Sequence, residues 1–369
     1  MSTAAADEEP ALKQVRRVRA PAAEPFAFEG RTFAPGTRGT VDVPFGVLSN
    51  HTPLNMAVQV VHGRRAGPTV FVSAAIHGDE VIGVEIVRRL LSGLDPSKLR
   101  GTILAVPIVN ALGFLEQSRY LPDRRDLNRS FPGHPGGSLA SRLANLFMEK
   151  VVARCRIGID LHSAAIHRTN LPQLRISPVR EETCRLADAF GAPVVLRSNL
   201  RDGSLRAAAR DRGVDVLLYE AGEGLRFDDV AVRAGTTGIL RVLRALDMLP
   251  ARGAGVPTAK GPPAVHATSS AWTRAPEAGL VRIYRDIGAI VAEGEVLGIV
   301  ADPFGELEHE VRARNAGIVI GRATMPVVNA GDALFHIATI DDENAAADAV
   351  EGMEDRLDDD PFYDDDEII

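Results

Sequence analysis

The sequence predicts an α/β fold, an α/β/α sandwich built on a mainly parallel or mixed sheet, followed by a small all-β domain. Three observations predict it. Between about residues 26 and 250, apolar runs bounded by turn residues alternate with segments of helical period, the pattern of an α/β domain. After about residue 265 the chain changes to short strands separated by glycine turns. With 369 residues, 45% hydrophobic and 25% charged, it has ordinary globular composition and length enough for two domains.

Residues 1–25 are rich in Ala, Glu and Arg and read as a loose N-terminal segment. From Phe26 to Gly63, short apolar runs alternate with Gly and Pro, as strands joined by turns do. Thr69 to Ala75 is a continuous apolar run between Gly-Pro and His-Gly, the mark of a buried central strand. EVIGVEIVRRLLSGL then places Val81, Val84, Ile86, Val87, Leu90 and Leu91 at helical spacing, with basic residues in the last turns. GTILAVPIVN predicts a second buried strand, SLASRLANLFMEKVVA a helix and RIGIDLHS a third strand. A helix over EETCRLADAFG, a strand at PVVLRS, a helix over SLRAAARDRG, the strand VDVLLYEAG and a helix ending near MLP complete a catalytic domain assigned to residues 26–255.

Residues 256–340 form the β-rich domain, entered through the Pro/Gly/Ala connector ARGAGVPTAKGPPAVHATS. Its GxxVxxGExLG, NAGIV and NAGDALFHI segments resemble a biotinyl/lipoyl barrel-sandwich. A carrier needs a lysine at the hairpin tip, but no lysine follows Lys260 and the tip reads Ala323-Thr324-Met325-Pro326. A structural module remains. Residues 341–369 hold fourteen acidic residues against one basic, Arg356, and read as an acidic disordered tail. The tail carries −13 of the net −7, so the body is about +6, compatible with small anionic substrates.

Two distant cysteines, Cys155 and Cys184, argue against a disulfide framework. The N-terminus lacks a signal-peptide core and no run approaches a membrane span, so a cytoplasmic protein without membrane contact is expected. No clustered basic face or known module points to nucleic acid.

The chemistry concentrates at strand ends. His77-Gly78-Asp79-Glu80 follows the first buried strand, where side chains three apart converge once the chain turns. His162, ending RIGIDLHS, supplies a third donor at the sheet end where ligands gather in α/β folds. A His₂Glu set leaves a position for water and suits zinc, although Mn or Fe accepts similar donors. Glu220, at the end of a core strand, is the carboxylate chosen as general base, with Glu223 the rival three residues on. The loop SRYLPDRRDLNRS offers Arg119, Arg124, Arg125 and Arg129 to stabilise an oxyanion or grip a carboxylate. Asp79 reads as solvated or as a cap on the following helix. The other histidines, His336 among them, take ordinary structural roles.

Together, HGDE at 77–80, Asp126-Leu127-Asn128-Arg129 running into Ser-Phe-Pro-Gly, Asp160-Leu161-His162 and Glu220-Ala-Gly222 resemble the zinc carboxypeptidase superfamily. The order and the β-rich C-terminal module resemble its succinylglutamate desuccinylase/aspartoacylase branch. The resemblance implies one Zn2+ per chain held by His77, Glu80 and His162, with Glu220 activating water. It makes Arg119 the residue that polarises the scissile carbonyl, although the stretch from it to DLNR is longer than in aspartoacylases and leaves Arg124 or Arg125 as substitutes. Asn128 and Arg129 match the pair that grips a substrate carboxylate, and Asp126 orients the far nitrogen of His77. The family's C-terminal domain narrows the entrance, which favours small N-acyl amino acids. The expected function is a zinc-dependent deacylase of carboxylate-bearing N-acyl compounds. The alternatives are a metallocarboxypeptidase or a non-catalytic binding protein of the same fold. A homo-oligomer through the β module is compatible with the sequence.

Overall fold

The computed structural model describes residues 20–177, 180–250 and 262–358. At its centre, strand Arg65–Ala74 runs parallel to both neighbours, Arg100–Val106 and Ile157–His162. Its end is apolar on successive residues because both faces are covered. Val70, Val72 and Ala74 pack with Ile82, Ile86 and Leu90 of helix Ile82–Gly93, whereas Phe71 belongs to the opposite core. There Phe71 meets Phe147 of helix Leu139–Lys150 edge to face at 5.6 Å. Strand Asp215–Gly222 lies parallel on the far side of Ile157–His162 and pairs Glu220 with His162. Pro53–His62 and Thr37–Val47 extend the other flank antiparallel. The fold is thus the expected α/β arrangement with a mixed sheet.

One strand beside the site went unread in the sequence. Arg168–Ile176 runs antiparallel to Asp215–Gly222, and Pro172 with its polar neighbours interrupts the apolar run that would announce a strand. Residues 168–170 pair with Gly317–Ala323 and residues 173–176 with Val194–Arg197. Pro172, which has no N–H to give a ladder, falls where the strand changes neighbours.

The C-terminal β region is antiparallel within itself and shares the catalytic sheet. Gly317–Ala323, Ala333–Thr339 and Ser269–Arg274 continue that sheet outward from Arg168–Ile176. Gly279–Ile283, Val296–Ala301, Glu308–Arg312 and Val327–Val328 form a separate four-stranded sheet, and a third core that includes Val281, Val300, Val319 and Phe335 lies between. The hairpin tip that would carry a swinging arm is pinned instead. Thr324 N donates to His167 O at 2.9 Å and its hydroxyl to Glu223 Oε1 at 3.3 Å.

The expectation of a disordered tail over 341–369 is corrected for residues 343–358, which form the helix Glu343–Asp358. Charge dominated the sequence reading and hid an apolar stripe. Ala346, Ala349, Met353 and Leu357 recur at helical spacing and are buried, while most acidic residues between them face solvent. Asp342 accepts from Ala345 N at 3.0 Å, and Arg356 donates to Gly191 O at 3.1 Å. Residues 359–369 of that tail, residues 1–19 of the N-terminal segment and residues 251–261 of the connector lie outside the described residues. Ala22 is bridged to Arg65, so the end of segment 1–25 is tied to the sheet. Among the described residues no helix is long and apolar enough to cross a membrane.

Two outcomes follow from this packing. Met353→Ala should cost about 2–4 kcal/mol of stability, and the exposed Glu351→Ala less than about 0.5 kcal/mol, both read by denaturant titration. His336 is buried with its ring stacked on Trp272 at 4.6 Å, and burial, then the Arg175 charge, lowers its pKa to about 3. The unfolded chain therefore takes up this proton first. The stability gained by keeping the ring neutral is complete above about pH 6.5 and drains away as pH falls toward 3. Trp272 is the only tryptophan, so unfolding followed by its fluorescence should depend less on pH over that interval in His336→Gln.

Candidate metal centre

The site begins where the central strand ends. Ala75 takes φ 50°, and Glu80 N bonds back to His77 O at 3.2 Å, so residues 77–80 close a turn. Gly78 is required by close approach: a Cβ there would stand 1.9 Å from the Gly113 carbonyl carbon. Asn110, fully buried, secures the same loop from the next strand end through Ile76 O at 3.4 Å and caps the short helix Ala111–Leu115.

The turn brings His77 and Glu80 together, and Ile157–His162 delivers His162 to the same point. Glu80 Oε1 lies 2.6 Å from His77 Nδ1, and Oε2 lies 2.6 Å from His162 Nδ1. One ligand atom from each of the three residues falls within 4.8 Å of the others, and all three residues are buried. The outer nitrogens are also engaged. His77 Nε2 is 3.1 Å from Asp126 Oδ1, and His162 Nε2 is 2.7 Å from Asp160 Oδ2. Asp160, itself fully buried, accepts from Ser73 Oγ at 2.7 Å.

The electrostatics suit a cation. Burial works against charge on both imidazoles, yet the carboxylates override it. Glu80 and Asp126 hold His77 above its ordinary range, and Asp160 and Glu80 hold His162 well above it. Burial likewise opposes the Glu80 carboxylate, but His77 and His162 bring it far below the usual range. Three carboxylates thus converge on two imidazoles, and a divalent cation between the Nδ1 atoms and Glu80 would neutralise that surplus. Two nitrogens and a carboxylate oxygen, with both imidazoles held from behind, fit such an ion.

The arginine loop resolves unevenly. Arg119 Nη2 lies 3.0 Å from Asp126 Oδ2 and Nη1 3.3 Å from Glu80 Oε1, so this guanidinium reaches the centre. Arg124, Arg125 and Arg129 are exposed, and Arg129 Nη1 donates to Asn128 O at 2.6 Å. Asn128 is buried, its Oδ1 accepting from Leu205 N at 2.9 Å. Asp79 departs from expectation. It is buried, its Oδ1 has no partner among the described residues, and it caps no helix. Burial, then the Glu80 charge, raises its pKa.

Glu220 projects from the strand position beside His162 and accepts from Asn170 Nδ2 at 2.9 Å, with Arg175 Nη1 3.4 Å away. Glu223 lies past the strand end, accepting from His167 N at 3.0 Å and from Thr324, which occupies it in holding loops together. Asn170, Arg175 and Ser73 are neighbours the sequence reading missed. The only signal for the first two was the alternation of Leu174 and Ile176 with polar residues in the unread strand.

In sequence and in fold the chain is similar to known proteins. Residues 66–246 match the succinylglutamate desuccinylase/aspartoacylase catalytic domain. The chain is 26% identical over 290 residues to the N-alpha-acetyl-L-2,4-diaminobutyric acid deacetylase of Halomonas elongata, covering 75% of this chain and 84% of the relative. It is 30% identical over 159 residues to a succinylglutamate desuccinylase of Pseudomonas putida, covering 39% of this chain and 47% of the relative. Among solved structures, the succinylglutamate desuccinylase/aspartoacylase of Rhodobacter sphaeroides superimposes with TM-score 0.72 at 26% identity, over 82% of this chain and 96% of that one. The product-bound ectoine utilization protein EutE (DoeB) of Ruegeria pomeroyi gives TM-score 0.73 at 24% identity, over 87% and 100%, a likeness of fold.

Asp126→Asn and Asp160→Asn should each weaken metal affinity about 10- to 100-fold by releasing an imidazole from its backing carboxylate. Competition against a chromogenic chelator measures this. Unchanged affinity in both variants removes the orienting role.

Proposed function

We propose, on the premise that this chain belongs to the succinylglutamate desuccinylase/aspartoacylase family, that it is a zinc-dependent deacylase of small N-acyl amino acids. The observation that carries the reading is the meeting of His77, Glu80 and His162 at one point, with Glu220 next to His162 across the strand pair. Two imidazoles and one carboxylate are the donor set for zinc that leaves a coordination position open.

His77, Glu80 and His162 would hold the ion, which when bound would supply Lewis-acid chemistry and lower the pKa of water toward neutrality. Glu220 takes a proton from the attacking water as its oxygen bonds to the acyl carbon. The same carboxyl then hands that proton to the amide nitrogen as the C–N bond breaks, leaving an amine and a carboxylic acid, which loses the second water proton to become a carboxylate while the amine is protonated. Arg119, fixed by Asp126, faces the negative charge that develops on the acyl oxygen. Asn128 and Arg129 lie on the same loop and receive the substrate carboxylate. Arg129 is exposed and among the described residues donates to one backbone oxygen, so its guanidinium has donors left for that task. Asn170 and Arg175 hold Glu220 by one oxygen each, keeping its carboxylate in one orientation.

The test separates metal binding from proton transfer. Glu220→Ala should keep its zinc by elemental analysis and lose about 100- to 10,000-fold in kcat toward N-acyl amino acids. His162→Ala should lose the metal itself. Retained turnover in Glu220→Ala overturns its assignment as the base. Release of C-terminal residues from long peptides, without cleavage of any N-acyl amino acid, overturns the deacylase reading.

A further inference from the structure

The loops that carry the chain out of the metal centre are pinned to one another by one carboxylate. Glu223 accepts through Oε1 from His167 N at 3.0 Å and from the Thr324 hydroxyl at 3.3 Å, and Thr324 N donates to His167 O at 2.9 Å. Three segments distant in sequence meet there: residues 163–167 after His162, residues 221–227 after Glu220, and the hairpin tip at Thr324-Met325-Pro326. The junction is also bonded to the loop of metal ligands. Leu225 N donates to Asp79 O at 2.8 Å, and Ala164 N to Gly222 O at 3.1 Å. Gly224 permits this approach, since a Cβ there would stand 3.1 Å from Ile166 N and 3.3 Å from both Ala164 O and Asp79 O. Asp79, Ala164 and Gly222 stand beside Glu80, His162 and Glu220 in the chain, so the junction borders the centre itself.

Each of the three segments leaves an apolar side chain in solvent at this junction. Ile166 is 37% exposed, Leu225 38% and Met325 40%, with Phe227 beyond them at 68%. The polar groups of the same loops are instead turned to partners within the chain. Glu223 is shared as described, with Arg226 Nε 3.6 Å from its Oε2. Asp228 accepts from Ala231 N at 2.9 Å, and the Arg168 guanidinium lies over the Trp272 ring at 5.2 Å. The usual surface preference is thus reversed. Leu225 also holds φ 57°, a left-handed conformation that disfavours a leucine, and still leaves its side chain partly in water. Strained backbone and clustered apolar surface beside a reactive centre mark a place where a ligand completes the packing.

We propose that Ile166, Leu225 and Met325 form an apolar collar at the mouth of the metal centre that binds an aliphatic or aromatic arm of the substrate, so that the chain prefers N-acyl amino acids bearing such an arm. The inference rests on the deacylase reading and narrows it. The arm belongs either to the amino-acid side chain or to the acyl group. The collar rewards both in the same way, by removing apolar surface of protein and substrate from water. A polar or charged arm would lose its hydration there without gaining a partner, because the polar groups of the collar loops are already engaged.

The experiment measures kcat/KM for the full zinc-loaded chain on N-acetyl-L-alanine, N-acetyl-L-aspartate, N-acetyl-L-norleucine and N-hexanoyl-L-alanine. The last two separate the sources of the arm. At least one of them should exceed both of the others by about tenfold or more, since each buried methylene is worth about fourfold. Equal or faster turnover of N-acetyl-L-alanine or N-acetyl-L-aspartate overturns the preference while leaving the deacylase reading standing. Absence of turnover on all four overturns both. Leu225→Asn places a residue that tolerates the left-handed backbone, and Met325→Gln keeps the length of the side chain. Each should lower the ratio of apolar-armed substrate to N-acetyl-L-alanine by about threefold or more, whereas a merely structural loss would lower both rates and keep the ratio. Leu225→Met should hold the ratio near its original value. An unchanged ratio in both Leu225→Asn and Met325→Gln overturns the proposal.

Discussion

A single buried carboxylate organises the site. Glu80 divides its two oxygens between His77 and His162, so residues 82 positions apart in the sequence must meet within hydrogen-bonding distance. Such a group cannot sit in an apolar interior without compensation. The chain surrounds it accordingly: imidazoles in front, Asp126 and Asp160 behind them, and the Arg119 guanidinium alongside. Each partner is itself held, Asp160 by Ser73 from the central strand and Asp126 by the backbone N of Asn128 at 2.8 Å. The network reaches into the sheet on one side and the arginine loop on the other. Rearranging any one member leaves another charge buried and unpaired.

The sheet makes this convergence affordable. In parallel strands, paired residues project the same way about 4.8 Å apart, so aligning Glu220 with His162 needs only the register of two strands. His77 and Glu80 come from the next strand in the sheet, after its closing turn. Three strand ends thus serve one centre, and the two large cores on either face hold their relative heights.

Much of this was legible in the sequence, and the misses have physical causes. Continuous apolar runs such as Thr69 to Ala75 announced the central strands because burial on both faces removes alternation. HGDE and DLH were readable because their place at strand ends follows from the fold class. Arg168–Ile176 was not readable, since its Pro172 and polar residues are explained only by neighbours far along the chain. Asn170 and Arg175 were lost with it. Asp79 could not be placed either, because burial of one carboxylate beside another follows from tertiary closure and not from local pattern. In the acidic C-terminal segment, overall charge concealed the spacing of Ala346, Ala349, Met353 and Leu357, although that spacing was present to be counted.

The pairing of Arg168–Ile176 with Gly317–Ala323 bears on how the molecule is made. Ribosomes deliver a chain from its N-terminus, and domains generally fold as they emerge. Here His77, Glu80 and His162 are all synthesised by residue 162, yet the strand that steadies Glu220 gains its outer neighbour only after residue 317 and a full edge only after Ala333–Thr339. A nascent chain long enough to contain His77, Glu80, His162 and Glu220 still carries an open sheet edge beside them. Completion of this sheet edge therefore waits on residues far along the chain, and the strands Gly317–Ala323 and Ala333–Thr339 act as the closure that ends its exposure to wrong partners.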